Sequence, residues 1–86
     1  MNVVFYGNVI EYTNGEKSYE SGQCQSLRGL IDELGVCYGE SFKDFLLGSE
    51  TCFFLVNAAS TMFTGGLDSP LKQGDKIEIL PFVGAG

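Results

Sequence analysis

Histidine and tryptophan are absent, and cations are scarce: the 86 residues hold 5 Lys and Arg against 11 Asp and Glu, a formal net charge of −6. Without His, the chain lacks the commonest general base, the commonest zinc ligand and every Ser/His or Cys/His nucleophile pair. The shortage of cations disfavours nucleic acid as a partner, because neutralising phosphates takes clustered Lys and Arg. The acidic balance suits solubility, or steering toward a basic partner surface. The 3 cysteines, Cys24, Cys37 and Cys52, are odd in number and widely spaced, unlike a disulfide framework. They are also too few for a four-thiolate iron–sulfur site unless a second chain contributes. Reduced thiols in a cytoplasmic protein are the expectation, with no metal site. No apolar run approaches the ~20 residues of a membrane span, and no membrane contact is expected. Met1-Asn2-Val3-Val4-Phe5 lacks the basic flank and cleavage site of a signal peptide, so it reads as a strand.

What is present is apolar and aromatic: 7 Phe, 4 Tyr and 44% hydrophobic residues in a length that suits one domain. Val3-Val4-Phe5-Tyr6 has the β-branched and aromatic character of a buried strand. Residues 9–12 and 17–20 flank Asn14-Gly15, which predicts a two-residue hairpin. Ser26 is placed to cap a helix whose Leu27, Leu30, Ile31 and Leu34 share one face. Gly35 is expected to end that helix, and the internal Gly29 costs it about 1 kcal/mol relative to Ala. Ser41-Phe42-Lys43-Asp44 resembles a capping box, followed by an apolar repeat at Phe42, Phe45 and Leu46 that ends at Gly48. Cys52-Phe53-Phe54-Leu55-Val56 reads as a buried strand, and residues 58–64 as a weaker one. Pro70 opens a turn, and a loop with Gly74-Asp75 precedes Lys76-Ile77-Glu78-Ile79-Leu80, which alternates with the period of a half-buried strand. This order predicts an α+β fold of the β-grasp type. A mixed sheet is crossed by one main helix with a short second helix beside it, and the last strand runs parallel to the first. Residues 1–82 form the domain, and 83–86 form a flexible tail.

Little inside this domain is catalytic. Asp32 and Glu33 fall on the polar side of the helix and are expected to be solvated, and the four tyrosines are expected to rim the core. Gly65-Gly66 sits in mid-chain, without a free carboxylate, and reads as a tight turn. The end of the chain differs. After Val83 come three small residues and a carboxylate, a thin segment whose glycines adopt extended or positive-φ conformations and which suits a narrow tunnel in another protein.

Three runs carry a resemblance over essentially the whole chain. They are Val56-Asn57, then Leu71-Lys72-Gln73-Gly74-Asp75 leading into the last strand, then Leu80-Pro81-Phe82-Val83-Gly84-Ala85-Gly86. Together they resemble the MoaD/ThiS family of ubiquitin-like sulfur carriers, with a Val-Asn, an L-x-x-G-D turn, a proline-containing segment and a glycine terminus. The resemblance implies that the Gly86 carboxylate is adenylated by a MoeB/ThiF-type activating enzyme using ATP and then becomes a thiocarboxylate. It further implies delivery of sulfur to a pterin through a MoaE-type large subunit. The chain itself would bind no permanent cofactor and act as the sulfur-donating small subunit. Phe82, Val83, Gly84 and Ala85 would contact the partners. The Pro81 segment favours the molybdopterin branch (or its tungsten counterpart). A carrier for thiamine or amino-acid biosynthesis, or a binding module without sulfur chemistry, are the alternatives. Two departures stand out: Phe82 replaces a second proline, and Gly84-Ala85-Gly86 replaces a terminal Gly-Gly.

Overall fold

The computed structural model describes residues 1–22, 25–48, 52–60 and 66–81. Five strands form one sheet: β1 (Asn2–Phe5), β2 (Ser18–Glu20), β3 (Cys52–Val56), β4 (Ala59–Ser60) and β5 (Lys76–Pro81), in the spatial order β2-β1-β5-β3-β4. β1 and β5 pair in parallel with Val3 opposite Ile77, and every other pairing is antiparallel. The predicted mixed sheet and its parallel first and last strands are therefore present. The inward residues of the three central strands, Val3, Phe5, Phe54, Ile77 and Ile79, are buried in the core.

Helix α1 (Leu27–Tyr38) crosses the inner face of the sheet. Its Leu27, Leu30, Ile31 and Leu34 join Val3, Phe5, Phe54, Ile77 and Ile79 in one core. Complete burial of side chains of this size contributes about 1.5–3 kcal/mol each. Ser26 caps α1 as expected, its hydroxyl accepting from the Gly29 amide at 3.3 Å. Helix α2 (Glu40–Leu47) closes one end of the core through Phe42 and Leu46. The Phe42 ring meets Phe5 edge-on at a centroid distance of 5.9 Å and stacks on Tyr12 at 5.7 Å.

Local signals were overruled at four places. Residues 9–12 are not a strand: Gly7–Thr13 winds into a 3-10 helix. Strand alternation would place Glu11 on the same face as the buried Val9 and Thr13, whereas helical winding leaves Glu11 outside. Asn14 and Gly15 do adopt the positive φ of a tight turn, 57° and 85°, but they join this helix to β2 rather than two strands. Second, α1 runs past Gly35 to Tyr38. Gly35 instead marks a close helix–helix approach, since a Cβ there would lie 2.9 Å from Lys43 Cβ. Gly39, at φ 113°, breaks the chain between α1 and α2. Third, Ser41 lies inside α2 and caps nothing; Gly39 holds the cap position without a side-chain bond. Fourth, Glu33 is half-buried and accepts from the Tyr19 hydroxyl at 2.5 Å and the Ser21 hydroxyl at 3.0 Å, tying α1 to the β2 edge. Its neighbour Asp32 is exposed as expected and pairs with Lys43 at 3.0 Å. Tyr12, Tyr19 and Tyr38 sit at the margins of the core, as read from the sequence, whereas Tyr6 is exposed and bonds to Glu78.

Of the weak strand at 58–64, Ala59–Ser60 is strand and 61–65 lie outside the described residues, as does Cys24. Cys37 and Cys52 carry thiols. No described helix is long and apolar enough to cross a membrane, and among the described residues no group of three His, Cys, Asp or Glu could hold a metal.

Candidate functional site

The site predicted from sequence, Phe82, Val83, Gly84, Ala85 and Gly86, lies outside the described residues. The described structure does define the surroundings of Pro81, the residue before this segment.

β5 is the centre of the sheet, and its last residue, Pro81, faces Cys52 of β3. On the other side the chain leaves β1 through Tyr6, whose amide donates to the Ile79 carbonyl at 3.1 Å. Gly7 follows with φ 58°, and a Cβ at this position would lie 2.7 Å from Pro81 Cγ. Only a glycine lets the backbone bend there and pass so close to the proline ring. Pro81, with φ fixed by its own ring, is thus wedged between β3 and Gly7. Residues 82–86 start from a rigid point.

Among the described residues, no helix packs on the outer face of the sheet. Strand parity places Tyr6, Leu80 and Phe53 in one row across it, beside Pro81, and Tyr6 and Phe53 are each 37% exposed. The next row crosses all five strands through paired residues: Ser18, Val4, Glu78, Leu55 and Ser60. Beyond it lie Glu20, Asn2 and Lys76. The face therefore grades from apolar at the tail exit to charged at the far end. Glu78 stands in the middle of it, accepting from the Tyr6 hydroxyl at 2.7 Å. That bond is the main reason the Tyr6 phenol is held above its ordinary pKa, with desolvation second.

At the far end of β5, the Val-Asn and L-x-x-G-D motifs meet. Asn57, with φ 51°, donates from Nδ2 to Asp75 Oδ1 at 2.9 Å and accepts from the Lys76 amide at 3.0 Å. Asp75 is 5% exposed, and its other oxygen accepts from the Lys72 amide at 2.9 Å. The Asn57 amide first, and the Lys72 backbone second, hold the Asp75 carboxyl below its ordinary pKa. The motif residues thus form a clasp that sets where β5 begins. A depression of about 290 Å³ opens beside it, lined by Val56, Asn57, Pro70, Leu71, Lys72 and Asp75. A second, of about 270 Å³, is lined by Asn8, Glu11 and Tyr12. Neither set of lining residues pairs a nucleophile with a base. Gly66, the described half of the mid-chain diglycine, takes φ 60° at the start of a short 3-10 turn (Gly66–Asp68).

In the sequence, Glu78 is one polar residue of an alternating strand and Asp75 part of a turn motif. Parity does put Glu78 on the outer face, but its neighbours across the sheet and the Tyr6 bond depend on register. The Asn57–Asp75 contact spans 18 residues and left no local trace beyond the two motifs.

The ThiS family model matches residues 3–86. The chain belongs to the ThiS family. Membership places it among the ubiquitin-like sulfur carriers and accounts for the β-grasp sheet. Among solved structures, the chain is similar to CysO in the Amycolatopsis orientalis BexX/CysO complex: 29% identity over 99% of this chain and 98% of that one, TM-score 0.84. It is similar to CysO of Mycobacterium tuberculosis at 26% identity over 95% and 98%, TM-score 0.83. Subunits 1 and 2 of the Helicobacter pylori molybdopterin-converting factor form a complex that provides a third match, at 27% identity over 99% and 96%, TM-score 0.65. Two of these three relatives were thus seen with a partner protein. No curated protein matches the chain.

Proposed function

We propose that this ThiS-family chain is a sulfur carrier whose working group is the Gly86 carboxylate, serving molybdopterin (or tungstopterin) cofactor biosynthesis. The observation that carries this is the rigid launch point: the central strand ends at Pro81, wedged against Gly7, and the family match continues through the remaining residues to 86. The lack of His and of any nucleophile–base pair in the described depressions supports a carrier that borrows its catalysis from partners.

In this scheme a MoeB/ThiF-type partner binds ATP, and a carboxylate oxygen of Gly86 attacks the α-phosphorus and expels pyrophosphate. The acyl-adenylate is then attacked by a persulfide sulfur, and AMP leaves. A thiol reduces the resulting acyl disulfide, freeing the terminal thiocarboxylate. A MoaE-type large subunit takes the tail and transfers the sulfur to the pterin precursor. Phe82, Val83, Gly84 and Ala85 line the partner's channel, and the apolar row Tyr6, Leu80 and Phe53 adds contact area at its mouth.

The test is the intact mass after incubation with the cognate activating enzyme, ATP and a sulfur donor. One oxygen exchanged for sulfur in the C-terminal peptide is expected, and an unchanged mass with the true partner rejects the function. The CysO chains match at 29% and 26% identity beside 27% for the H. pylori complex, so a second reading stands next to the first. In it the same carboxylate chemistry serves another acceptor, in thiamine or amino-acid biosynthesis. Offering the charged carrier to each acceptor system separates the two.

A further inference from the structure

The outer sheet face is apolar where the tail departs, yet it carries a carboxylate at its centre. Glu78 lies between Val4 on β1 and Leu55 on β3, and its own strand places Leu80 two residues toward the tail. It is half-buried already. Among the described residues the Tyr6 hydroxyl donates to it, and no ion pair involves it. The nearest cation along the strand is Lys76, two residues away on the same face, a backbone spacing of about 6.6 Å, and no described ion pair joins the two.

Any protein that covers Tyr6, Leu80 and Phe53 also strips water from Glu78. A desolvated carboxylate with one hydrogen bond is costly unless the covering surface supplies a cation. The Tyr6 bond holds the carboxylate in one orientation, which suits a guanidinium or ammonium brought in from outside. The net charge of −6 favours approach of such a surface over an acidic one.

Resting on the carrier function proposed above, we propose that Glu78 is the specificity-determining residue of the face that docks the adenylating partner. That partner meets it with an arginine or lysine set among apolar side chains. Tyr6 is the positioning residue, acting through the carboxylate it holds. An enzyme of the same chemistry with an uncharged or acidic group at this place is rejected, because both ligand and site would be left unpaired.

The experiment measures ATP–pyrophosphate exchange by the adenylating enzyme from the same host, with the carrier as varied substrate. Wild type, Glu78→Gln, Glu78→Lys, Tyr6→Phe and Asp44→Asn are compared, each checked by thermal melting. Glu78→Gln is expected to raise KM about tenfold with kcat unchanged, and Glu78→Lys to raise it further. Tyr6→Phe raises KM less, again without a change in kcat. Added salt raises the wild-type KM and affects Glu78→Gln less. Asp44→Asn alters an exposed charge on α2 and leaves KM unchanged. If Glu78→Lys does not fold, Glu78→Gln decides alone. A wild-type KM in Glu78→Gln, or an equal rise in Asp44→Asn, overturns the assignment while leaving the carrier function intact. A wild-type chain that is not adenylated at all rejects the carrier function and the docking role with it.

Discussion

Ala58 takes φ 71° beside Asn57 at 51°, and the two make the β3–β4 connection, with Val56 opposite Ala59. A two-residue turn with both φ positive matches the twist of its strands, but a Cβ in that region costs about 1–2 kcal/mol. Glycine avoids that strain at a loss of roughly 0.5–1 kcal/mol in unfolded-chain freedom. Ala58→Gly is therefore expected to gain about 0.5–1 kcal/mol, read as a higher urea midpoint with unchanged slope. Asp75 works in the opposite sense. Its folded pKa is depressed, so the stabilisation it supplies is fully present above the unfolded value of about 3.9. It is lost as pH falls through the lower folded value. Asp75→Asn should cost about 1–3 kcal/mol at pH 7, because one of the two donors, the Asn57 amide or the Lys72 N–H, then faces an NH2 group in place of its acceptor oxygen. The gap between variant and wild type should shrink in urea titrations below pH ~4; a gap independent of pH would remove the role of the charge.

Elements meet most tightly where the 3-10 helix and β5 share Gly7 and Pro81. Gly7→Ala adds a positive-φ penalty and a Cβ overlapping the proline ring at 2.7 Å. The expected loss is about 2–3 kcal/mol by denaturation. Adding Pro81→Ala to that variant removes the overlap and should return part of the loss, leaving the backbone strain of about 1–2 kcal/mol. Additive effects of the two changes would disprove the contact. This scale also shows why hairpin signals misled. Asn14-Gly15 has the ideal composition and the right dihedral angles, yet the residues before it coil, because extending them would bury Glu11 beside Val9. Asn57-Ala58, without a glycine, makes the two-residue β-turn, because the pairing of β3 with β4 and the Asp75 contact hold it there.

For the whole molecule the decisive feature is a five-stranded sheet whose central strand ends at Pro81, the last described residue before 82–86. If the tail is the working end, one residue added after Gly86 should abolish thiocarboxylate formation, seen as an unchanged C-terminal mass, while thermal stability stays at the wild-type value. Ala85→Gly should then be charged at the wild-type rate or faster, because it removes a methyl group from the segment proposed to enter the partner. Undiminished charging of the extended chain would show that the carboxylate is not the reacting group.

The strand and helix stripes were legible from residue order alone: the apolar runs of β1 and β3, the alternation in β5, and the i, i+3, i+4 spacing from Leu27 to Leu34. Each depends on burial along a short segment, and near neighbours in the chain dictate that. The exclusion of histidine chemistry and the small-residue terminus were legible for the same reason, since composition needs no geometry. Register and close approach belonged to the tertiary structure. It decided that Gly35 packs against Lys43 instead of ending a helix, that Glu33 binds Tyr19 and Ser21, and that Asn57 closes on Asp75. It also set Glu78 in the middle of an apolar face with Tyr6 holding it. These contacts join different elements: helix packing sets the first two, and the pairing of β1, β3 and β5 sets the others.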